Sequence, residues 1–289
     1  MIIQPLDSAD NKTVRRVRSL RSNRGLRERL GVSVLEGVRL VEAAIEAGAE
    51  FRIVLYGPRL VETERGRSLV ARLSLLSAKA HYVSEKILSD LAEVETSQGV
   101  LAVASMPPMA KVWPRPASGP PLFVAIDGIQ DPGNLGTIVR TAQAAGVHAV
   151  GLSKGTVDIF NSKSLRATAG SVFEVPLVRL EEEPWLDPAT DGDLTLVYAV
   201  VQGAMPYEEF DWTKPVILVL GNEGHGVGHQ ESGQAVSIPM VPSANSLNVA
   251  SAAAVLMFHA TYVRRQAGMP VVPPSAPVFG RRRPATVGD

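Results

Sequence analysis

The sequence has no cysteine at all. That absence excludes disulfides, thiolate zinc sites, iron–sulfur clusters and cysteine nucleophiles, and it fits a reducing compartment. No uninterrupted apolar segment approaches the roughly 20 residues that cross a bilayer. The opening stretch, MIIQPLDSADNK, lacks the basic stretch followed by an apolar run that marks a secretory signal. Aromatic residues are scarce, 5% of the chain, and few fall near its basic start, so a surface stacking successive bases is not indicated. Net charge is missing too, with 29 basic residues against 29 acidic ones. What is present is the composition of a globular protein, 45% hydrophobic and 20% charged over 289 residues. That length suits one large domain or two ordinary ones. These features predict a soluble, cytoplasmic protein.

A zero net charge argues against a nucleic-acid partner only if the charge is evenly spread. From Asp10 to Leu30 eight basic residues (Lys12, Arg15, Arg16, Arg18, Arg21, Arg24, Arg27, Arg29) stand against two acidic ones, Asp10 and Glu28. Balancing acid collects elsewhere, as at Glu181, Glu182, Glu183, Asp187, Asp191 and Asp193. A basic patch of this kind grips phosphates and gives affinity without sequence readout. The plain alternative is a solvated helix face.

Composition shifts divide the chain into an N-terminal domain over 1–106, a linker over 107–121, a second domain over 122–268 and a disordered tail over 269–289. The linker holds six prolines, which continue neither a helix nor an inner strand. Before it, helical spacing of Val14, Val17, Leu20 and Leu26 predicts a helix over Asn11–Leu30. Strands are predicted over 33–36, 51–56 and 80–83, with helices over 37–48 and 64–78: a small α/β domain. After it the strands become continuous apolar runs at 122–126, 148–153, 194–201, 216–221 and 236–240. Runs without alternation suit a parallel sheet covered on both faces. Helices fall around 135–145, 161–170 and 247–267, and ligands of such sheets sit where loops leave the C-terminal strand ends.

Three motifs occupy those loops. In DGIQDPGNLGTIVRTAQAAGV (127–147), a strand exit leads to a helix starting near Thr137, with Asn134 placed to cap it and Arg140 on its first turn. A capped helix with a surface arginine is the bland reading. In VLGNEGHGV (219–227), Gly221, Gly224 and Gly226 let backbone approach a ligand closely, although a flexible turn looks the same. His225 and His229 lack a third ligand nearby and read as solvent-facing, so no metal is predicted. In IPMVPSANSLNVASAAAVLMFHATYV (238–263), Ser243, Asn245, Ser246 and Asn248 crowd a loop–helix junction with more polar groups than one cap requires. The alanines that follow read as tight packing.

In this order and spacing, the three motifs resemble those of the SpoU (TrmH-like) RNA 2′-O-ribose methyltransferases of the SPOUT superfamily. Residues 158–177 and the stretch 11–48 also resemble that family's inter-motif helix and substrate-binding domain. The resemblance implies an α/β protein with a small N-terminal α/β RNA-binding domain. It also implies a parallel-sheet catalytic domain with a C-terminal deep trefoil knot, which pattern rules would vote against. It implies S-adenosylmethionine as co-substrate, held by Gly221, Asn222, Gly224, Ile238 and Leu247. Arg140 is then the leading catalytic residue, with Asn134 holding it and Glu223, Ser246 and Asn248 shaping the site. RNA contacts fall to Lys12, Arg15, Arg16, Arg18, Arg21 and Arg24, joined by Lys163 and Arg166. The implied partners are RNA and a second copy of the chain, packed through the catalytic domain by helices that include 247–263.

Arg140 is described in that family as the base that takes the hydroxyl proton, yet guanidinium stays protonated in proteins. The other reading has Arg140 grip a phosphate and orient the hydroxyl. Ribosomal RNA is favoured over transfer RNA, and antibiotic resistance through ribosome methylation stays open. A non-catalytic assembly factor should have lost Arg140, Asn134 or the NSLN junction, and none is lost. A nucleotide-dependent oxidoreductase should show GxGxxG after the first strand, where this chain has DPGNLG.

Overall fold

The computed structural model describes residues 5–76, 79–93, 97–181, 194–222 and 233–271. In chain order the elements are α1 (Lys12–Ser22), α2 (Arg24–Leu30), β1 (Val32–Glu36), α3 (Val38–Glu46), β2 (Phe51–Tyr56), α4 (Pro58–Glu62), α5 (Glu64–Ser74), β3 (Lys79–Tyr82), α6 (Glu85–Leu91) and β4 (Val100–Ser105). There follow β5 (Met109–Ala110), β6 (Leu122–Ile126), α7 (Pro132–Ala145), β7 (Ala149–Ser153), α8 (Ser162–Thr168), β8 (Leu177–Leu180), β9 (Thr195–Val200), β10 (Met205–Pro206), β11 (Val216–Leu220), β12 (Gln234–Ser237) and α9 (Val249–Gln266). Residues 77–78 and most of the predicted tail lie outside the described residues.

The chain forms two compact units. One takes in Met1–Pro107 together with Asp158–Phe173, and the other Pro108–Val157 with Glu174–Val278. The α8 segment therefore packs with the N-terminal unit although it lies far along the chain.

The first unit is built on a four-stranded sheet ordered β1-β4-β2-β3, antiparallel except for the β2–β3 pair. Val14, Val17 and Leu20 of α1 are buried in its core with Leu55, Leu88 and Val103, as their spacing predicts. The predicted single helix over Asn11–Leu30 is broken at Asn23, whose backbone is extended. Its side chain accepts from the Leu26 amide at 2.8 Å, and an asparagine that caps the next helix cannot continue the previous one. The α8 segment is fastened here too: Ser33 Oγ donates to the Phe160 carbonyl at 2.8 Å, and Arg27 pairs with Asp158.

The second unit is an eight-stranded sheet ordered β10-β12-β9-β11-β6-β7-β8-β5, parallel at every pairing. Every residue of β6 and β11 is buried, the signature of strands covered on both faces. Part of the proline-rich 107–121 stretch joins this unit. Its β5 pairs with β8, and Trp113 is buried against Phe123 with ring centroids 4.8 Å apart. The short β5 had no legible strand signal among its prolines.

Helices α7 and α9 pack together, and Thr261 Oγ1 donates to the Ala145 carbonyl at 2.7 Å. Near the end of α9, the buried Arg264 gathers four carbonyls that precede the central strands. Its Nε donates to Trp212 O at 2.9 Å, its Nη1 to Pro120 O at 2.6 Å, and its Nη2 to Pro121 O at 2.9 Å and Lys214 O at 2.7 Å. Burial lowers its pKa to about 10, still well above neutrality, so the donors stay charged. Replacing Arg264 with Met should strand the carbonyls of Trp212, Pro120 and Lys214, while Pro121 O keeps the Val216 amide at 3.0 Å, and should cost about 3 kcal/mol or more, since each orphaned buried acceptor is worth ~1–3 kcal/mol. Urea denaturation measures this loss; Arg264→Lys, with one point charge instead of a planar fork, should recover less than half of it.

Candidate active site

The polar loops meet at one edge because the strands that launch them are neighbours. In the order β12-β9-β11-β6, the chain leaves β6 after Ile126, β11 after Leu220, β9 after Val200 and β12 after Ser237. All point the same way, so their C-terminal exits line one rim, the usual ligand position in such sheets.

The loop after β6 is held by a dense polar network. Gly128 turns with φ +66°, a left-handed conformation that favours glycine. Its N–H is shared by Ser153 Oγ at 3.1 Å and Thr156 Oγ1 at 3.2 Å. Its carbonyl accepts from Asn222 Nδ2 at 2.8 Å, which ties the first motif to the second. Ser153 Oγ in turn donates to Asp127 at 3.0 Å. The helix then starts at Pro132, five residues earlier than the predicted Thr137, because Asp131 is its cap and proline suits the first helical position. Asp131 Oδ1 accepts the Asn134 amide at 2.8 Å. Asn134 is thus in the first turn and not at the cap.

That shift leaves the Asn134 side chain available to the third motif. Asn248 Nδ2 donates to Asn134 Oδ1 at 3.0 Å, across 114 residues of chain. The other end of the Asn248 amide caps α9, accepting from Ala250 N at 2.9 Å and Ser251 N at 3.3 Å. One side chain therefore starts a helix and joins two motifs. Arg140 is exposed on α7, six residues past Asn134 and so about 120° around the helix from it. No carboxylate pairs with it among the described residues.

Of the remaining predicted residues in this unit, Gly221 and Asn222 follow β11 and are half-buried, as is Ile238 after β12. Ser246 is exposed and Leu247 is 43% exposed. Glu223, Gly224, His225 and His229 lie outside the described residues. Sequence reasoning missed the loop after β9, where Gly203 has φ +78° and Ser237 Oγ donates to the Ala204 carbonyl at 3.2 Å. The signal was there: a fourth strand exit on the same rim, closed by glycine. A nucleoside ligand needs apolar slots for its base and backbone groups for its polar edges. Ile238 and Leu247 with the backbone of the 201–204 and 238–248 loops fit that need.

The predicted RNA-contact residues all lie in the first unit. Lys12, Arg15, Arg16 and Arg18 are exposed on α1, and Lys163 is exposed on α8. Arg24 is exposed and bonded to Glu28 at 2.9 Å, which raises its pKa. Arg21 and Arg166 both pair with Glu36. Arg27, counted in the basic run, is buried and donates to the carbonyls of Leu20 and Arg21 at 2.9 Å.

Fold and site define a class: an α/β protein whose parallel sheet carries a rim of polar loops at its C-terminal edge. The chain belongs to the SpoU rRNA methylase family, whose model matches residues 121–258, while residues 11–102 match the MRM3-like substrate binding domain. The 23S rRNA (guanosine(2553)-2′-O)-methyltransferase RlmP of Bacillus subtilis is 33% identical over 260 residues, 89% of this chain and 99% of that one. The human mitochondrial rRNA methyltransferase 3 is 30% identical, over 84% of this chain and 70% of its own length. Among solved structures, the AdoMet-bound rRNA methyltransferase from Sinorhizobium meliloti superposes with a TM-score of 0.78 at 29% identity, covering 91% of this chain and 98% of that one.

The dual use of Asn248 can be separated. Serine caps a helix as well as asparagine does but is too short to reach Asn134. Asn248→Ser should keep the melting temperature close to that of the parent, whereas Asn248→Ala should lose about 1 kcal/mol. Methyl transfer should fall about tenfold in both, the value of one hydrogen bond of ~1–1.5 kcal/mol. Calorimetric melting and initial rates on the same two variants decide it.

Proposed function

We infer that this protein transfers the methyl group of S-adenosylmethionine to a ribose 2′-hydroxyl of ribosomal RNA. The observation that carries the reading is the Asn248–Asn134 bond, which joins the first and third motifs beside the rim formed by the β9, β11 and β12 exits. The methyl donors and RNA substrates of its relatives support it: RlmP acts on 23S rRNA, and the Sinorhizobium meliloti structure holds AdoMet. S-adenosylmethionine supplies an electrophilic methyl on sulfur; the protein must align the ribose oxygen in line with it. Gly221, Asn222, Gly224, Ile238 and Leu247 would hold the donor, with the 201–204 loop beside them.

Arg140 is the catalytic residue of this reading, presented to solvent where a phosphate or ribose arrives. Asn134 sets the first turn of its helix, and Glu223, Ser246 and Asn248 line the approach. Lys12, Arg15, Arg16, Arg18 and Arg24, with Lys163, supply a cationic surface for phosphates on the N-terminal, RNA-binding domain. We assign the chain a linker around 107–121 and a cytoplasmic location, where ribosomal RNA is met. A deep trefoil knot suits the path after β12, which returns past β9 and β11 to set α9 against α7.

Mapping ribose methylation in total RNA, with and without the gene, tests the function: one ribosomal 2′-O-methyl group should vanish. In purified form, Arg140→Ala should bind S-adenosylmethionine normally and lose at least about a hundredfold in single-turnover rate, the lower range of a positioned catalytic group. Arg140→Lys should fail similarly, because lysine lacks the planar fork. A near-normal rate in Arg140→Ala would make the motif structural.

The same reading includes a homodimer. Val255, Phe258 and Tyr262 stand exposed at helical spacing along α9, with Ser251 one turn before them, an apolar stripe suited to a second copy. Light scattering should give about twice the 30.8 kDa chain mass, and Phe258→Asp should yield monomers that no longer methylate.

A further inference from the structure

Two of the arginines predicted for RNA meet at a single carboxylate in the first unit. Arg21 Nη2 lies 2.8 Å and Arg166 Nη1 3.2 Å from Glu36 Oε2. This inner carboxylate is dry: the Glu36 side chain is 3% exposed and that of Arg21 7%. A second carboxylate reaches the same two guanidinium groups from outside. Glu93 Oε1 is 3.3 Å from Arg21 Nη2, and its Oε2 is 3.5 Å from Arg166 Nη1. Its side chain is 44% exposed. The Glu93 backbone amide donates to Glu36 Oε2 at 3.4 Å, so the main chain is held there without help from its own side chain.

The charges balance only while Glu93 is in place. Two guanidinium groups then face two carboxylates; withdraw the outer one and a single positive charge is left over a half-open cradle. The cradle also keeps unused capacity, since Arg21 Nη1 is buried with no hydrogen-bond partner among the described residues. An exposed ion pair contributes little and is easily exchanged. A phosphodiester carries the same single charge as Glu93 and offers two oxygens to a planar guanidinium fork. The helix that carries Arg21, α1, also presents Lys12, Arg15, Arg16 and Arg18 to solvent, so a nucleic-acid backbone is drawn to this unit.

We propose that Arg21 and Arg166 form a subsite for one RNA backbone phosphate, occupied in the free protein by Glu93 acting as an internal stand-in. The inference rests on the RNA reading above and adds to it a specific address and a built-in competitor. It differs from a general basic patch because removing one particular acid should strengthen binding clearly more than removing its neighbours.

The test uses the full chain and a short fluorescein-labelled RNA of mixed sequence, read by anisotropy at several salt concentrations. Glu93→Gln and Glu93→Ala should each bind about three- to fivefold more tightly than the parent, the size that two half-exposed ion pairs allow. Glu28→Gln, which removes an acid from the Arg24 pair, serves as the control and should gain clearly less. In Glu93→Gln/Arg166→Gln the gain should disappear, and the salt slope should fall by roughly one phosphate contact. Equal gains from Glu28→Gln and Glu93→Gln, or a gain that survives loss of Arg166, would overturn the subsite. Calorimetric S-adenosylmethionine binding on each variant reports on the fold. RNA binding by the parent with no change in Glu93→Gln rejects this proposal alone; no RNA binding by any variant rejects the RNA reading beneath it.

Discussion

The rim of the second unit depends on strand register. Parallel pairing aligns Leu220 with Ile126 and Val219 with Tyr198, so β6, β9 and β11 reach their C-terminal ends at nearly one level. Continuing along β9, Val200 pairs with Ser237, which brings the exit of β12 to the same edge. Register in a sheet buried on both faces is strongly determined, because any slip drives core side chains into the wrong neighbours. The loops inherit that alignment. Motifs separated by more than a hundred residues in the chain can therefore be joined by one hydrogen bond without a long search.

Arg264 anchors the other end of those strands. Its four carbonyl partners precede β6 and β11, at the edge opposite the rim. The residue sits on α9, whose first turn is capped by Asn248 at the rim. A single helix thus spans from the polar junction to the strand starts, and Thr261 locks its flank to α7. The result couples stability to site geometry: disorder at either end of α9 loosens the helix that positions Asn248.

Much of this was legible in the sequence because burial on both faces writes itself as uninterrupted apolar runs. The strands at 122–126 and 216–220 appear almost as spaced, and Val14, Val17 and Leu20 mark a real core face. Signals that depend on distant partners were not legible. β4 is the inner strand joining β1 and β2, yet its small-residue run before a proline-rich stretch gave no prediction of a strand. The start of α7 was misplaced because the glycines of DPGNLG suggested a loop, when Asp131 and Pro132 form a complete start signal. The basic run at 12–29 reads as one surface, but Arg27 turns inward to two carbonyls and Asp158. Nothing local distinguishes it, since Asp158 lies 131 residues away.

The contrast between two arginines bears on the chemistry of the site. Arg264 is buried and surrounded by backbone carbonyls, and burial brings its pKa only to about 10. Even that degree of desolvation leaves a guanidinium charged at neutral pH. Arg140 is exposed midway along α7, on its third turn and not the first as the sequence suggested, with no carboxylate partner among the described residues. A general base must spend time without its proton near the working pH, and a guanidinium group stays protonated in proteins. A fixed positive charge on a planar fork is instead well matched to phosphate oxygens. On that ground we propose that Arg140 grips the RNA backbone and aims the ribose hydroxyl, while water or a phosphate oxygen receives the proton.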